Sequence, residues 1–175
     1  MTLFCYYEDT MKRKNIILPG TAVCLAVLGI LISFFSPKKK EHQYFCDKYT
    51  LNVDDIQIDL LELEPDLSSV SELLMIDPEH LFILGRMDES ENLMLIYDFQ
   101  SAEIIFQGYG TTMCWTNDDY RTARYLKDDV VYDLEGQAVY RPDKNSHVYS
   151  IEYVKKYLKI VVSNGDYSEF SEVWF

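Results

Sequence analysis

The residues able to do chemistry in this chain are few and scattered. Its three histidines are His42, His80 and His147. No pair has the i, i+4 spacing that sets two imidazoles on one helix face around a metal, and no His-Glu-x-x-His run is present. Glu79-His80 reads as a turn pair at the start of a strand. The acidic pairs Asp54-Asp55, Asp118-Asp119 and Asp128-Asp129 supply carboxylates, and Asp88-Glu89-Ser90-Glu91-Asn92 has the alternate oxygens that calcium favours. That run lacks the central glycine and distal glutamate of an EF-hand loop, so these acids read as solvated turns. No Gly-x-Ser-x-Gly elbow, phosphate loop or dinucleotide fingerprint occurs. The expectation is no catalytic residue, no metal ligand and no cofactor, with enzymatic activity left open.

Aromatic side chains are better placed. Tyr109, Trp115, Tyr120 and Tyr125 fall in one short stretch and are the candidate ligand-binding residues. Converging at the mouth of a fold, they would stack on a sugar or hold a peptide. The competing reading is packing between neighbouring sheets. Cys46 and Cys114 are compatible either with one disulfide in an oxidising compartment or with two buried free thiols.

These residues need a framework, and composition bounds it. The 175 residues are 48% hydrophobic and 14% aromatic, enough for one domain with a real core. Fourteen tyrosines suit half-exposed strand surfaces. The net charge of −13 hides a split: residues 1–40 hold six Lys/Arg and two acids, whereas residues 41–175 hold ten Lys/Arg and twenty-seven acids. So acidic a domain repels phosphate backbones, and no nucleic acid is expected as partner.

Residues 16–35, IILPGTAVCLAVLGILISFF, are uncharged and long enough to cross a hydrocarbon core of about 30 Å. Lys12, Arg13 and Lys14 precede the run and Lys38, Lys39 and Lys40 follow it. An uncleaved signal anchor is favoured over a signal peptide starting at Met11, since the small-residue pattern of a cleavage site is poor. A lipoprotein signal at Cys24 is a third reading, weakened by Val23 before it. The flanking charges balance, three against three. A short tail behind a Lys-Arg-Lys cluster places residues 1–14 in the cytoplasm, 15–35 in the membrane and the rest outside the cytoplasm. Residues 36–48 read as a linker.

Beyond the linker, alternating apolar runs of strand length dominate. Residues 49–53 and 55–63 form a strand pair. Four runs follow, Val70–Ile76, His80–Met87, Leu93–Phe99 and Ala102–Gly108, joined by short polar turns. The phrase IYDFQSAEIIFQ at 96–107 then returns as VYDLEGQAVYRP at 131–142, thirty-five residues on. A β-branched residue, Tyr-Asp and a turn recur inside a second set of four runs, Thr111–Thr116, Arg121–Lys127, Val130–Leu134 and Ala138–Arg141. A third set covers His147–Val154, Tyr157–Ser163 and Glu172–Phe175. The Asp of each phrase is expected beside its turn, accepting backbone N–H bonds. Antiparallel meanders of four strands repeating at this period are the mark of propeller blades. The expected fold is all-β, a partial β-propeller-like array of four-stranded antiparallel meanders after an N-terminal transmembrane helix. The propeller-like domain spans 49–175, with blades at about 69–108, 111–142 and 147–175.

The stretch SVSELLMIDPEHLFILGRMDESENLMLIYDFQSAEIIFQGYG (69–110) resembles the first blade of TolB-like six-bladed propeller proteins, an exported and often lipid-anchored bacterial family. The matching features are Asp77 in a turn, the strand His80–Leu84, the Tyr97-Asp98-Phe99 phrase and a Gly108-Tyr109-Gly110 loop. The resemblance covers roughly residues 50–175. The chain departs from the family in having about half its length, no good lipobox and no Gly-Pro-rich continuation after Gly110, so it reads as a truncated propeller. The resemblance implies a membrane-tethered, non-enzymatic binding or scaffold module of the bacterial cell envelope, with a protein partner or self-association. The alternatives are a glycan-binding or glycan-processing accessory module, and a degenerate gene fragment.

Overall fold

Alternation along the chain is answered by a run of antiparallel hairpins. The structure, a computed structural model, describes residues 41–87, 91–116 and 119–175. The proposed tail, the membrane segment and the first part of the linker lie outside these residues. Among the described residues no helix is long and apolar enough to cross a membrane.

The described chain is all-β. The first sheet contains β1 (Tyr44–Asp47), β2 (Thr50–Val53) and β3 (Ile56–Asp59). The second contains β4 (Leu67–Asp77), β5 (His80–Met87), β6 (Asn92–Asp98) and β7 (Glu103–Gly110). The third contains β8 (Thr112–Thr116), β9 (Asp119–Lys127), β10 (Val130–Asp133) and β11 (Ala138–Tyr140). The fourth contains β12 (Ser146–Val154), β13 (Tyr157–Asn164) and β14 (Phe170–Trp174). In every sheet the strands follow chain order, each antiparallel to the next.

Two-sided strands make the sheets stack in that same order. In β6, Leu93, Leu95 and Tyr97 join Leu51, Val53 and Leu60 in the seam between the first and second sheets. Their neighbours Met94 and Ile96 point the other way, into the second seam with Phe82, Met113, Trp115 and Tyr125. The third sheet repeats the arrangement. Leu126 and Val131 turn away from that seam and pack with Val148, Ile151, Leu158 and Ile160 of the fourth sheet. Leu93 through Tyr97 are at most 1% exposed, so the second sheet is covered on both faces.

The repeated phrase has one structure in both places. Register slips by one residue between Ile96 and Tyr97 in the β6–β7 hairpin, and between Val131 and Tyr132 in the β10–β11 hairpin. The extra residue is Ile105 in β7 and Val139 in β11, each left without a cross-strand partner and bending its own strand. Tyr97 faces the preceding sheet and Tyr132 stacks on Tyr125, which also faces the preceding sheet. Asp98 accepts from the Gln100 amide at 2.8 Å and Asp133 from the Gln137 amide at 2.7 Å, as expected of aspartates beside their turns.

Three readings of the sequence are corrected. Tyr44–Asp47, assigned to the linker, is β1. Its alternation is short, but Tyr44 and Cys46 pack into the first seam. Residues 55–63 are not one strand, because Leu60–Leu63 forms a single helical turn, α1, capped by Asp59 accepting from the Leu61 amide at 2.9 Å. The turn brings Leu60, Leu61 and Leu63 into one seam, which an extended strand would have split between two faces. Gly108-Tyr109-Gly110 is not a loop but the end of β7, paired with Asn92–Met94. The glycines serve close approach: the Phe106 ring covers Gly108, and the backbone carbonyl of Leu126 lies where a Cβ on Gly110 would stand.

Candidate functional site

The four aromatic residues singled out in the sequence do not converge. Tyr109 packs into the first seam, where its hydroxyl donates to Glu64. Trp115, Tyr120 and Tyr125 all pack against the second seam. Trp115 lies 5.2 Å from Phe82 and Tyr125 lies 5.6 Å from Phe106, ring centre to ring centre. The alternation of β8 aims Trp115, and that of β9 aims Tyr125, towards the second sheet. Tyr120, on the other parity of β9, reaches the second seam from the start of the strand by stacking on His80. Packing accounts for most of the four.

Tyr120 lines a cleft of about 440 Å³ between the second and third sheets. Asp98 and Phe106 come from the second sheet, Tyr120 and Arg121 from the start of β9, and Leu134 and Glu135 from the β10–β11 turn. Behind the cleft Tyr120 stacks on His80 at 3.9 Å. The His80 imidazole donates through Nδ1 to Asp77 at 2.7 Å. The same carboxylate accepts from the Glu79 amide at 2.8 Å and, across the seam, from the Tyr120 amide at 3.2 Å. Asp77 therefore fixes the turn, the imidazole and the next sheet together.

A second clamp of this kind joins the third and fourth sheets. Asp129 accepts from His147 Nδ1 at 2.7 Å and from the Val148 amide at 3.2 Å. Metal-ligand spacing does not reveal these Asp–His pairs, because each is brought together by a turn or by the packing of neighbouring sheets rather than by helical period. The signal available was Asp in a turn together with His at a strand start. Among the described residues no three ligating side chains gather into a metal site.

Both described cysteines are free. Cys46 belongs to the first seam and Cys114 to the third, with a whole sheet between them. Burial is the main cause that pushes the Cys114 thiol up to about 12, with Arg124 opposing and Glu152 adding.

The two ends of the stack differ. The register of the first sheet puts Phe45, Asp47, Thr50, Asn52, Gln57 and Asp59 on its outer face, polar apart from Phe45. Gln57 donates to Asn52 there at 3.0 Å. The outer face of the fourth sheet carries Tyr149, Val154, Tyr157, Phe170 and Trp174, all between 38% and 63% exposed. At its centre Lys159 bridges Glu152 at 3.2 Å and Glu172 at 2.8 Å. Among the described residues the outer face of the fourth sheet is the more apolar of the two, which makes it a candidate interaction surface.

No family model, no curated protein and no solved structure matches this chain.

Proposed function

We propose that this protein is a membrane-tethered binding or scaffold module of the bacterial cell envelope, a partial propeller-like array of the TolB-like kind held at the surface by residues 15–35. The observation that carries the reading is the exposed aromatic outer face of the fourth sheet, in contrast with the polar outer face of the first. A face of this composition is soluble when something covers it. Support for the propeller-like part comes from the chain-order stacking of the sheets and the shared bulge of the two Tyr-Asp hairpins. The segment Ile16–Phe35 supplies the tether and leaves the acidic domain outside the cytoplasm.

The test is fractionation and topology together. The full-length chain should stay with membranes through an alkaline wash, and an impermeant protease added to spheroplasts should digest residues 41–175. Recovery in the soluble fraction, or protection from the protease, would reject the tether or its orientation.

A second reading is favoured by the cleft. Tyr120 offers a ring face beside Asp98, Arg121 and Glu135, a combination suited to sugar hydroxyls. If the cleft takes glycans, Tyr120→Ala should abolish binding of a soluble oligosaccharide measured by calorimetry.

A further inference from the structure

The cleft between the second and third sheets has a charge pattern that discriminates among sugars. We propose that it takes a glycan whose rings carry a free, protonated amine, held between Asp98 and Glu135. The proposal rests on the second reading above, a cleft that takes glycans, and names the class of sugar.

Three observations carry it. The first is how the walls are built. Ile105 and Phe106 are consecutive in β7, and regular alternation would send them to opposite faces. The unpaired step at Ile105 breaks that alternation, so both side chains line the cleft, with Ile105 left 40% exposed. Tyr120 and Leu134 line it from the third sheet. Both walls therefore offer apolar or aromatic surface, on which the C–H faces of a sugar ring can pack. The volume of about 440 Å³ suits a small ligand.

The second is the placement of charge. Asp98 comes from the second sheet and Glu135 from the third, so the two carboxylates stand on opposite walls. Each is carried by a pinned turn. Asp98 accepts from the Gln100 amide and the Ser101 hydroxyl, which hold its carboxyl below the ordinary value and keep it ionised. The turn bearing Glu135 is closed by the Gly136 amide on the Asp133 carbonyl at 3.1 Å and by the Gln137 amide on the Asp133 carboxylate. Arg121, the cation among the lining residues, is engaged by its own strand. Its guanidinium lies 5.6 Å from the Tyr120 ring centre, and Tyr120 and Asp119 raise its basicity. Two carboxylates thus face a ligand against one guanidinium. An ammonium group between them would gain charge-assisted hydrogen bonds that a hydroxyl or an acetamide cannot make.

The third is the field of the whole domain. Residues 41–175 hold ten basic and twenty-seven acidic residues. That balance draws cations to a cleft and repels glycans bearing carboxylate, sulfate or phosphate.

Calorimetric titration of the full-length chain tests this, in micelles of a detergent without a sugar headgroup. The pH is slightly acidic, so that the amine is protonated and the carboxylates are ionised. The ligands are short oligomers of glucosamine and of galactosamine, each in free-amine and N-acetylated form. The free-amine member of a pair should bind at least tenfold tighter. Glu135→Gln should cut that preference at least threefold, and Arg121→Ala should enlarge it. Both replaced residues are exposed, and a ratio of two affinities on one protein is insensitive to small losses of folding. A preference left unchanged by Glu135→Gln, or lowered by Arg121→Ala, would overturn the proposal. So would free-amine oligomers that bind Tyr120→Ala as well as the wild type, since they would occupy another acidic surface. Equal binding of both members, lost together in Tyr120→Ala, removes the amine but leaves the glycan cleft standing. No binding by any oligomer removes both.

Discussion

Single aspartates do much of the joining in this molecule, and their chemistry can be tested. Asp98 is partly buried, which pushes its carboxyl up, but hydrogen bonds from Gln100 and Ser101 and the nearby His80 outweigh that effect and leave it lowered. A carboxyl lowered in the folded state stabilises fully above its unfolded value, about 3.9, and the contribution fades as pH falls through the folded value. Asp98→Asn should therefore cost about 1 kcal/mol at neutral pH in urea unfolding. The gap to the wild type should close as pH drops below about 4. Asp77 has more partners and should matter more. Asp77→Ala orphans the Tyr120 amide and His80, with an expected loss of about 2–3 kcal/mol by the same measurement. Cys114 makes a different prediction. With its thiol at about 12 it holds about a thousandfold less thiolate at neutral pH than an ordinary cysteine. Iodoacetamide should modify it only after unfolding, as read by peptide mass spectrometry.

At the level of elements, much of the fold was legible because its hairpins are local. The runs at 80–87, 93–99, 121–127 and 157–163 coincide closely with β5, β6, β9 and β13, since period-two alternation and short turns fix both ends of a strand. The failures have physical causes. The alternation of 55–63 breaks only at Leu60-Leu61, and tertiary burial of three leucines in one seam decided for a helical turn. Gly108 and Gly110 look like punctuation, yet each stands in a strand because a side chain or a neighbouring backbone needs the room. Gly110→Ala tests this. Its new methyl group meets the Leu126 carbonyl and Met94 at the second seam. The expected cost is about 1–3 kcal/mol, seen as a lowered thermal midpoint. The candidate surfaces were less legible. Tyr149, Tyr157 and Trp174 carry no motif, and whether a strand's second face is covered depends on what comes next in the stack.

For the molecule as a whole, stability should follow position in the stack. Each sheet touches only its neighbours, so opening should begin at the ends and reach the second sheet last. Amide exchange followed by mass spectrometry should find β6 slowest, with both its faces buried, and β14 among the fastest. Uniform exchange across all four sheets would mean that the stack opens as one unit instead.

The bulge between Ile96 and Tyr97 also has a bearing on misfolding. Odd and even residues of β6 serve different seams, so sliding this strand by a single position would swap Leu93, Leu95 and Tyr97 with Met94 and Ile96. All five are apolar, and hydrophobicity alone would barely object to the swap. What pins the alignment is the unpaired step in the hairpin, together with the carboxylate of Asp98 just beyond it. The twice-written Tyr-Asp phrase thus works as a ratchet tooth, stopping an otherwise slippery ribbon at one notch.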